Sequence, residues 1–279
     1  METHSRATAF RQLHDRPGVF VVPNPWDAGS AKLLESLGFE ALATTSAGYA
    51  FSLGRSDAAA AVDREETLAN VRAIVDATNL PVSADLENGF GDDPQACAET
   101  IRMAAAAGLA GGSIEDATGR PSDPIYPFAL AVERVAAAVA AARALSFPFI
   151  LTARAENLIT GRPDLVDTIR RLEAFAAAGA DVLYAPGLTT SDAISSVVRA
   201  VAPKPVNVII GLSGGKFSLA ELRDLGVKRV SLGSSLARAA FGALLRASRE
   251  VRDSGTFTFS QDAMPYAELN ALFERRRKG

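Results

Sequence analysis

Short apolar segments that alternate with Ala-rich amphipathic segments dominate this sequence. The eight apolar segments lie at 18–23, 41–45, 82–85, 112–115, 149–153, 182–184, 206–209 and 229–232. The helical segments that follow them lie at 28–37, 64–77, 94–107, 128–144, 164–178, 190–200, 218–225 and 235–252. Strands that alternate with helices favour a parallel sheet, because each parallel connection needs a crossover. Eight such units predict an α/β fold, the closed (β/α)8 TIM barrel.

Four helical segments end on a glycine that is followed by an apolar residue. Two examples are Leu37-Gly38-Phe39 and Ala107-Gly108-Leu109, and the other two glycines are Gly179 and Gly226. Glycine takes the left-handed conformation that ends a helix. A doubly wound open sheet is the alternative fold, but it normally carries a glycine-rich phosphate-binding turn after its first strand. This chain has Pro23-Asn24-Pro25-Trp26 there, which favours the barrel.

Length and charge exclude several classes of protein. The 279 residues fit one barrel domain, residues 1–279, since single barrels commonly have about 250 residues. A net charge of -3 gives no general attraction to nucleic acid or to an anionic membrane surface. We find no apolar run of about 18 residues and no signal-peptide pattern, and therefore expect a cytoplasmic protein. The single cysteine, Cys97, excludes an internal disulfide.

Residues 253–279 form a C-terminal extension beyond the eighth helical segment. Its apolar and aromatic residues are Phe257, Phe259, Met264, Tyr266, Leu269, Leu272 and Phe273. So much apolar surface outside the barrel predicts packing against another subunit. We interpret the final basic stretch, Arg275-Arg276-Arg277-Lys278, as a solvated tail.

Asp85 and Glu87 end the third apolar segment, and Gly89 and Gly91 follow at once. Side chains at i and i+2 leave the same face of a strand, so the two carboxylates share one small volume. Either a cation neutralises them or they are solvated at the strand end. Carboxylates with no nearby His or Cys favour Mg²⁺, and Mn²⁺ also fits.

Further polar residues lie at the ends of other apolar segments, where barrel enzymes carry their active sites. They are Thr44, Thr45, Ser46, Asp57, Glu115, Asp116, Arg154, Glu156, Asn157, Asn207, Ser231 and Ser234. Each alone has a plain structural explanation, such as a helix cap or an ion pair. Together they predict a site, because unpaired buried charges are costly. Arg154 offers two parallel hydrogen bonds to a substrate carboxylate.

The order and spacing of several motifs resemble the isocitrate lyase and phosphoenolpyruvate mutase superfamily over nearly the whole chain. The motifs are Asn24-Pro25-Trp26-Asp27-Ala28, Thr44-Thr45-Ser46-Ala47-Gly48, Gly54-Arg55-Ser56-Asp57, Ala84 to Gly91, Ser113-Ile114-Glu115-Asp116, Thr152 to Glu156 and Pro205-Val206-Asn207-Val208. The resemblance implies a barrel whose eighth helix is swapped between subunits of a homo-oligomer, commonly a dimer of dimers.

The resemblance also implies a site that binds a 2-oxo acid or its enolate. Mg²⁺ is expected on Asp85 directly, with Asp57, Glu87 and Glu115 contacting it mostly through water. The expected substrate-binding residues are Trp26, Thr45, Ser46, Ala47, Gly48, Asp85, Arg154 and Asn207. The expected catalytic residues are Arg154, Asp57 and Tyr126.

The loop after strand four, residues 117–126, departs from the patterns of these relatives. Isocitrate and methylisocitrate lyases carry Lys-Lys-Cys-Gly-His there, and this loop has neither cysteine nor histidine. Phosphoenolpyruvate mutase and phosphonopyruvate hydrolase carry a lysine where this chain has Ala117. Both departures argue against those activities. Tyr126 is a potential proton donor to an enolate, although packing of the loop explains it equally well.

We therefore expect a Mg²⁺-dependent lyase that cleaves a C–C bond of a small 2-oxo or 2-hydroxy acid through a stabilised enolate. Decarboxylation of a 2-oxo diacid such as oxaloacetate makes the smallest demand on the loop, because CO₂ leaves without a general base. A retro-aldol lyase would need a base, for which Glu156, Asp116 and Tyr126 are alternatives. P–C bond chemistry and a low-turnover 2-oxo acid binder remain the other hypotheses.

Overall fold

Ten strands and eleven α-helices make up the computed structural model, which describes residues 3–57, 61–211 and 216–274. The strands are β1 (Phe20–Val22), β2 (Leu42–Ala43), β3 (Val82–Asp85), β4 (Gly111–Glu115), β5 (Ala117–Arg120), β6 (Asp123–Ile125), β7 (Ile150–Arg154), β8 (Val182–Tyr184), β9 (Val206–Ile209) and β10 (Arg229–Ser231). Eight of them form one parallel sheet in the order β1-β10-β9-β8-β7-β4-β3-β2. The predicted α/β barrel is confirmed.

The helices lie outside this sheet and connect its strands. They are α1 (Thr3–Asp15), α2 (Ala28–Ser36), α3 (Ser46–Ser52), α4 (Arg64–Ala77), α5 (Pro94–Ala106), α6 (Phe128–Arg143), α7 (Leu165–Ala177), α8 (Ser191–Val201), α9 (Leu219–Asp224), α10 (Ser235–Ser254) and α11 (Tyr266–Glu274). A 3-10 helix, Thr258–Gln261, precedes α11. The eight predicted helical segments are confirmed to within two residues at each end.

Hydrogen bonds between β1 and β2 complete the ring where the sheet order leaves these strands at its two edges. The Ala43 amide donates to the Pro23 carbonyl at 3.1 Å. Asn24 links three strand ends, because its amide donates to the Thr44 carbonyl and its oxygen accepts from the backbone N–H groups of Leu232 and Gly233. Asp27 is the N-cap of α2.

The barrel interior is polar along most of its strands. Apolar residues such as Val206 and Val208 on β9 are buried in the hydrophobic layer between strands and helices. The alternate positions line an internal cavity, and they include Ser83, Thr44 and Asn207. Barrel interiors are usually filled by branched apolar side chains. A polar interior is therefore a sign of ligand binding rather than of packing.

Helix α1 closes the end of the barrel opposite the strand C-termini. Phe10 is fully buried, and the rings of Phe10, His14 and Phe20 pack edge to face at centroid distances of 4.7 to 6.5 Å. Phe10 and Phe20 belong to a separate apolar cluster with Leu13, Ala110, Ile150 and Val182, and we call this cluster, with the ring of His14 packed against it, the plug. The plug leaves the interior open at one end only.

The hairpin of β5 and β6 was not anticipated, since residues 117–126 were expected to be a loop. Its two strands pair antiparallel, with Ala117 opposite Ile125. The short helix α3 was likewise absent from the prediction. Its N-cap is Thr45, whose hydroxyl accepts from the Gly48 N–H at 3.1 Å.

The C-terminal extension forms the 3-10 helix and α11, and α11 contacts α2 of the same chain. Lys32 donates to the Phe273 carbonyl at 3.0 Å. The basic tail Arg275 to Lys278 lies outside the described residues. No helix in the described parts of the chain combines the length and the apolar character that a bilayer crossing needs.

Gly111→Ala is expected to destabilise the fold, because β4 approaches β7 very closely at this position. A Cβ at Gly111 would lie 2.6 Å from the Ile150 carbonyl oxygen, which is backbone and cannot rotate away. We expect a loss of about 1–3 kcal/mol in the free energy of unfolding, measured by urea denaturation. Gly29→Ala in α2 is the control, since its Cβ would make only ordinary contacts. Equal midpoints for the two variants would contradict the close packing.

Candidate active site

Arg154 is the centre of an ion-pair cluster at the carboxyl end of the barrel. It ends β7, and its guanidinium contacts three carboxylates: Asp85 at 2.9 Å, Glu115 at 3.1 Å and Glu156 at 2.9 Å. Strand register places Glu115 directly beside Arg154. The acids at the ends of β3 and β4 and the arginine of β7 therefore meet, as the sequence predicts.

Burial, and after it the charges of neighbouring acids, raises the pKa of Glu87, Asp57 and Glu115. Burial, followed by the charges of Asp85 and Asp57, raises the pKa of Glu87 to about 7. Burial and Asp85 also raise the pKa of Asp57. For Glu115 burial raises the pKa well above its usual range, and Arg154 opposes the rise. One guanidinium thus leaves the cluster with an excess of negative charge.

The loop after β3 holds Glu87 in a conformation that is rare for a non-glycine residue. Glu87 has φ 48° and Phe90 has φ 58°. The left-handed region costs free energy, so the surrounding structure must enforce it. Arg134, 1% exposed, donates to the carbonyls of Asn88, Gly91 and Asp92. This buried arginine from α6 fixes the loop, and sequence reasoning missed it because it lies in an ordinary amphipathic helix.

The turn from Thr44 to Gly48 faces the cluster from the end of β2. Ser46 Oγ donates to Asp85 Oδ2 at 2.9 Å, and Thr44 Oγ1 accepts from the Asp85 N–H at 3.1 Å. Trp26 lies behind this turn, where its Cβ is 3.3 Å from the position a Gly48 Cβ would take. Trp26 and Gly48 line neither of the two cavities described below.

Two connected chambers open from the cluster. The deep chamber, about 170 Å³, lies inside the barrel. The outer chamber, about 760 Å³, lies above the strand ends. Ser46, Asp57, Arg154 and Ile159 line both chambers.

The other predicted site residues divide between the chambers. Thr45, Ala47, Asp85 and Asn207 line the deep chamber, and Glu87, Glu115 and Glu156 line the outer one. The hairpin contributes Ala117, Thr118 and Gly119 to the outer chamber. This wall presents one hydroxyl and no acid or base.

Tyr126, an expected catalytic residue, lines neither chamber. Its side chain is 1% exposed, and its hydroxyl donates to Asp92 at 2.5 Å. Burial and this hydrogen bond raise its pKa to about 12. Asp116 is also excluded as a base, because it is buried against Arg171 at 3.1 Å and lines neither chamber.

The donor chemistry of the cluster fits a hard divalent cation. Asp57, Asp85, Glu87 and Glu115 supply only carboxylate oxygens, the ligands that Mg²⁺ prefers. Among the described residues, however, no three acidic, His or Cys side chains are close enough to form a ready-made metal cage. A cation with few direct ligands and several waters agrees with both facts, since Mg²⁺ usually keeps several waters.

Comparisons with known proteins agree with this architecture. The family model described as phosphoenolpyruvate phosphomutase matches residues 10–252. A solved structure from Burkholderia cenocepacia J2315, assigned only as a lyase or mutase, is 62% identical with a TM-score of 0.95, covering 98% of this chain and 96% of that one. Oxaloacetate acetylhydrolase in complex with the product oxalate is 26% identical with a TM-score of 0.87, covering 98% and 95%.

A curated relative is also named for a reaction of oxaloacetate, like the acetylhydrolase. The oxaloacetate decarboxylase of Paraburkholderia xenovorans LB400 is 29% identical and matches over 89% of this chain and 82% of its own length. The fold and the acid cluster, together with these likenesses, define an enzyme of the lyase and mutase class. The chain belongs to the phosphoenolpyruvate phosphomutase family, within the isocitrate lyase and phosphoenolpyruvate mutase superfamily.

Glu87→Gln is expected to stabilise the metal-free protein at high pH. The folded pKa of Glu87 is about 7 against an ordinary 4.5, so ionising Glu87 costs stability as pH rises from about 4.5 to about 7. The gain for the variant at pH 8 is up to about 3 kcal/mol, and it disappears below pH 4.5. Urea unfolding in the presence of a metal chelator, repeated across this pH range, measures the difference in stability. The exposed Glu173→Gln in α7 is the control, and parallel pH profiles for all three proteins would contradict the assignment.

Proposed function

We propose that this enzyme is a divalent-cation-dependent lyase that cleaves a C–C bond of a small 2-oxo or 2-hydroxy carboxylic acid, with Mg²⁺ as the cation and Mn²⁺ as a substitute. The observation that carries the proposal is the meeting of Arg154 with Asp85 and Glu115 at the mouth of a polar chamber, with Asp57 and Glu87 among the residues that line the adjoining space. When bound, such a cation supplies Lewis-acid stabilisation of negative charge developing on substrate oxygen.

Arg154 has two roles in this proposal. It orients a substrate carboxylate through its planar guanidinium, and its charge opposes the rise in pKa that burial causes at Glu115. Glu156, 2% exposed and bonded to the Arg154 Nε, holds the guanidinium in place. Asp85 is the expected direct ligand of the cation, and its hydrogen bond from Ser46 fixes the carboxylate toward the chambers.

Decarboxylation of a 2-oxo diacid fits the hairpin wall best. The reaction needs an enolate to be stabilised and later protonated, and CO₂ needs no base to leave. Ala117, Thr118 and Gly119 offer no acid or base, and Tyr126 is engaged elsewhere. The likeness to an oxaloacetate decarboxylase and to an oxalate-bound acetylhydrolase supports the same substrate class.

P–C bond chemistry is the second candidate function, and the name of the matching family favours it. The hairpin wall argues against it, because phosphoryl transfer relies on cations placed around the transferring group. Among the described residues that line the outer chamber, two are basic, Arg154 and Arg64.

A substrate panel tests the proposal. The purified protein with Mg²⁺ is incubated with oxaloacetate, malate-type diacids, phosphonopyruvate and phosphoenolpyruvate while pyruvate and phosphate are followed. We expect pyruvate from oxaloacetate above the background rate, and no phosphate. Asp85→Ala is expected to lose Mg²⁺ affinity and turnover, whereas Glu173→Gln keeps both. Phosphate release would favour P–C chemistry, and binding without turnover would favour a 2-oxo acid binder.

We also propose that the protein is a homo-oligomer in which α10 packs against a second copy. Within α10 the single buried residue is Ala237, near the helix start. Phe241, Leu244, Leu245 and Val251 are exposed along the same helix. An apolar helix face of this length is costly in water, and a second subunit would cover it.

Light scattering after gel filtration tests this arrangement. The double variant Leu244→Glu with Leu245→Glu is expected to lower the molar mass to that of a smaller assembly, because charges cannot be buried in an apolar interface. Val166→Glu, an exposed apolar position on α7, is the matched control and should keep the wild-type mass. A monomeric wild-type protein would overturn the proposal.

A further inference from the structure

Arg229 is a buried arginine inside the barrel with an incomplete set of hydrogen bonds. It is 5% exposed, its Nε donates to Asn207 Oδ1 at 2.8 Å, and its Nη2 donates to Thr152 Oγ1 at 2.9 Å. Its Nη1 is buried without a hydrogen-bond partner among the residues that the structure describes. Both partners are neutral, so they leave the positive charge uncompensated.

No carboxylate in the described chain forms an ion pair with Arg229, in contrast to Arg154 and its three acids. Burial lowers the pKa of Arg229 to about 10, so the group keeps its charge at neutral pH. The plug below supplies no counter-charge. His14 is neutral there, since burial and then Arg229 lower its pKa to about 3.

The deep chamber lies against this unpaired cation. Its described lining includes Arg229, Asn207, Ser231, Ser83 and Ser113, which offer a guanidinium, an amide and hydroxyls. The carboxylates that line it, Asp57 and Asp85, lie on the side of the strand C-termini, beside Arg154. The volume of about 170 Å³ is roughly ten times the minimum that one water molecule needs. The chamber is therefore large enough for a small organic acid and has donors for an anion on its floor.

The spacing of the two arginines matches a short dicarboxylate. Arg229 binds at the level of Thr152, and Arg154 is two residues further along β7, facing the same interior. A strand rises about 3.3 Å per residue, which separates the two levels by about 6.6 Å. A ligand with carboxylates at both ends of a short carbon chain spans that distance.

We propose that Arg229 on the floor of the deep chamber binds the second carboxylate of a short dicarboxylic substrate, and thereby selects dicarboxylic over monocarboxylic acids. This assignment rests on the proposed function for the position of the first carboxylate at Arg154. Nη1 has no accessible surface in the present orientation of the guanidinium, so it would donate to the incoming carboxylate after the side chain turns toward the chamber. Asn207 and Thr152 hold the other two nitrogens. The carboxylate neutralises a cation that is otherwise unpaired.

Malate and lactate form a matched pair of probes, because they are 2-hydroxy acids that differ by one carboxylate. Calorimetric titration of the Mg²⁺-loaded protein is expected to show malate binding about tenfold or more tighter than lactate. Arg229→Gln is expected to lose that advantage while lactate affinity changes less than about twofold. Arg72→Gln is the control: it removes one positive charge from the protein surface, at an exposed position of α4, and should leave the affinities for malate and lactate unchanged.

The outcomes distinguish a failure of the Arg229 site from a failure of the proposed lyase function. Undiminished malate affinity in Arg229→Gln overturns the Arg229 site and leaves the proposed function standing. Failure of wild type to bind either acid overturns the proposed function and this site with it. If sodium chloride raises the melting temperature of wild type but not of Arg229→Gln, and malate does not compete, the site holds an inorganic anion and the dicarboxylate proposal fails.

Asn207→Asp gives a second test that does not remove the arginine. It places a carboxylate 2.8 Å from Arg229 Nε, where Asn207 Oδ1 now accepts. An internal counter-ion should raise the melting temperature and should weaken malate binding about tenfold or more. Full malate affinity in this variant would contradict the proposal, and the raised melting temperature guards against misfolding as an explanation.

Discussion

The guanidinium of Arg154 is the interaction on which the rest of the site depends. It joins acids donated by β3, by β4 and by the residues following β7 itself. Without it three carboxylates would be buried side by side with no cation, and each would protonate or repel its neighbours. A barrel can hold such a cluster because parallel strands all deliver their carboxyl ends to the same rim.

The fold could be predicted closely because its signals are local and repeated. Apolar runs, amphipathic segments and glycine at the helix ends recur around the chain, and the four predicted left-handed glycines, Gly38, Gly108, Gly179 and Gly226, have φ between 82° and 103°. The β5 and β6 hairpin escaped prediction because Thr118-Gly119-Arg120 has no apolar alternation. The hairpin also makes contacts distant in sequence, such as the exposed ion pair of Arg120 with Asp92 at 2.8 Å, which local patterns do not show.

The rim acids could be predicted since a strand end fixes where its last side chains lie. Trp26 and Tyr126 could not be placed, because the direction of a loop side chain depends on tertiary packing. Arg229 was missed for a different reason: next to Lys228 it resembles a solvated basic pair at a strand start. The available signal was the alternation of Arg229, Val230 and Ser231, which puts the polar residues inside the barrel and valine outside.

The aromatic plug under the barrel has a consequence for the order of events during turnover. With Phe10, His14 and Phe20 blocking the lower end, every molecule passes through one mouth. For the proposed lyase, a product fragment in the deep chamber would leave only after a fragment bound above it. Product release would then follow a fixed order, set by the single opening at the strand C-termini.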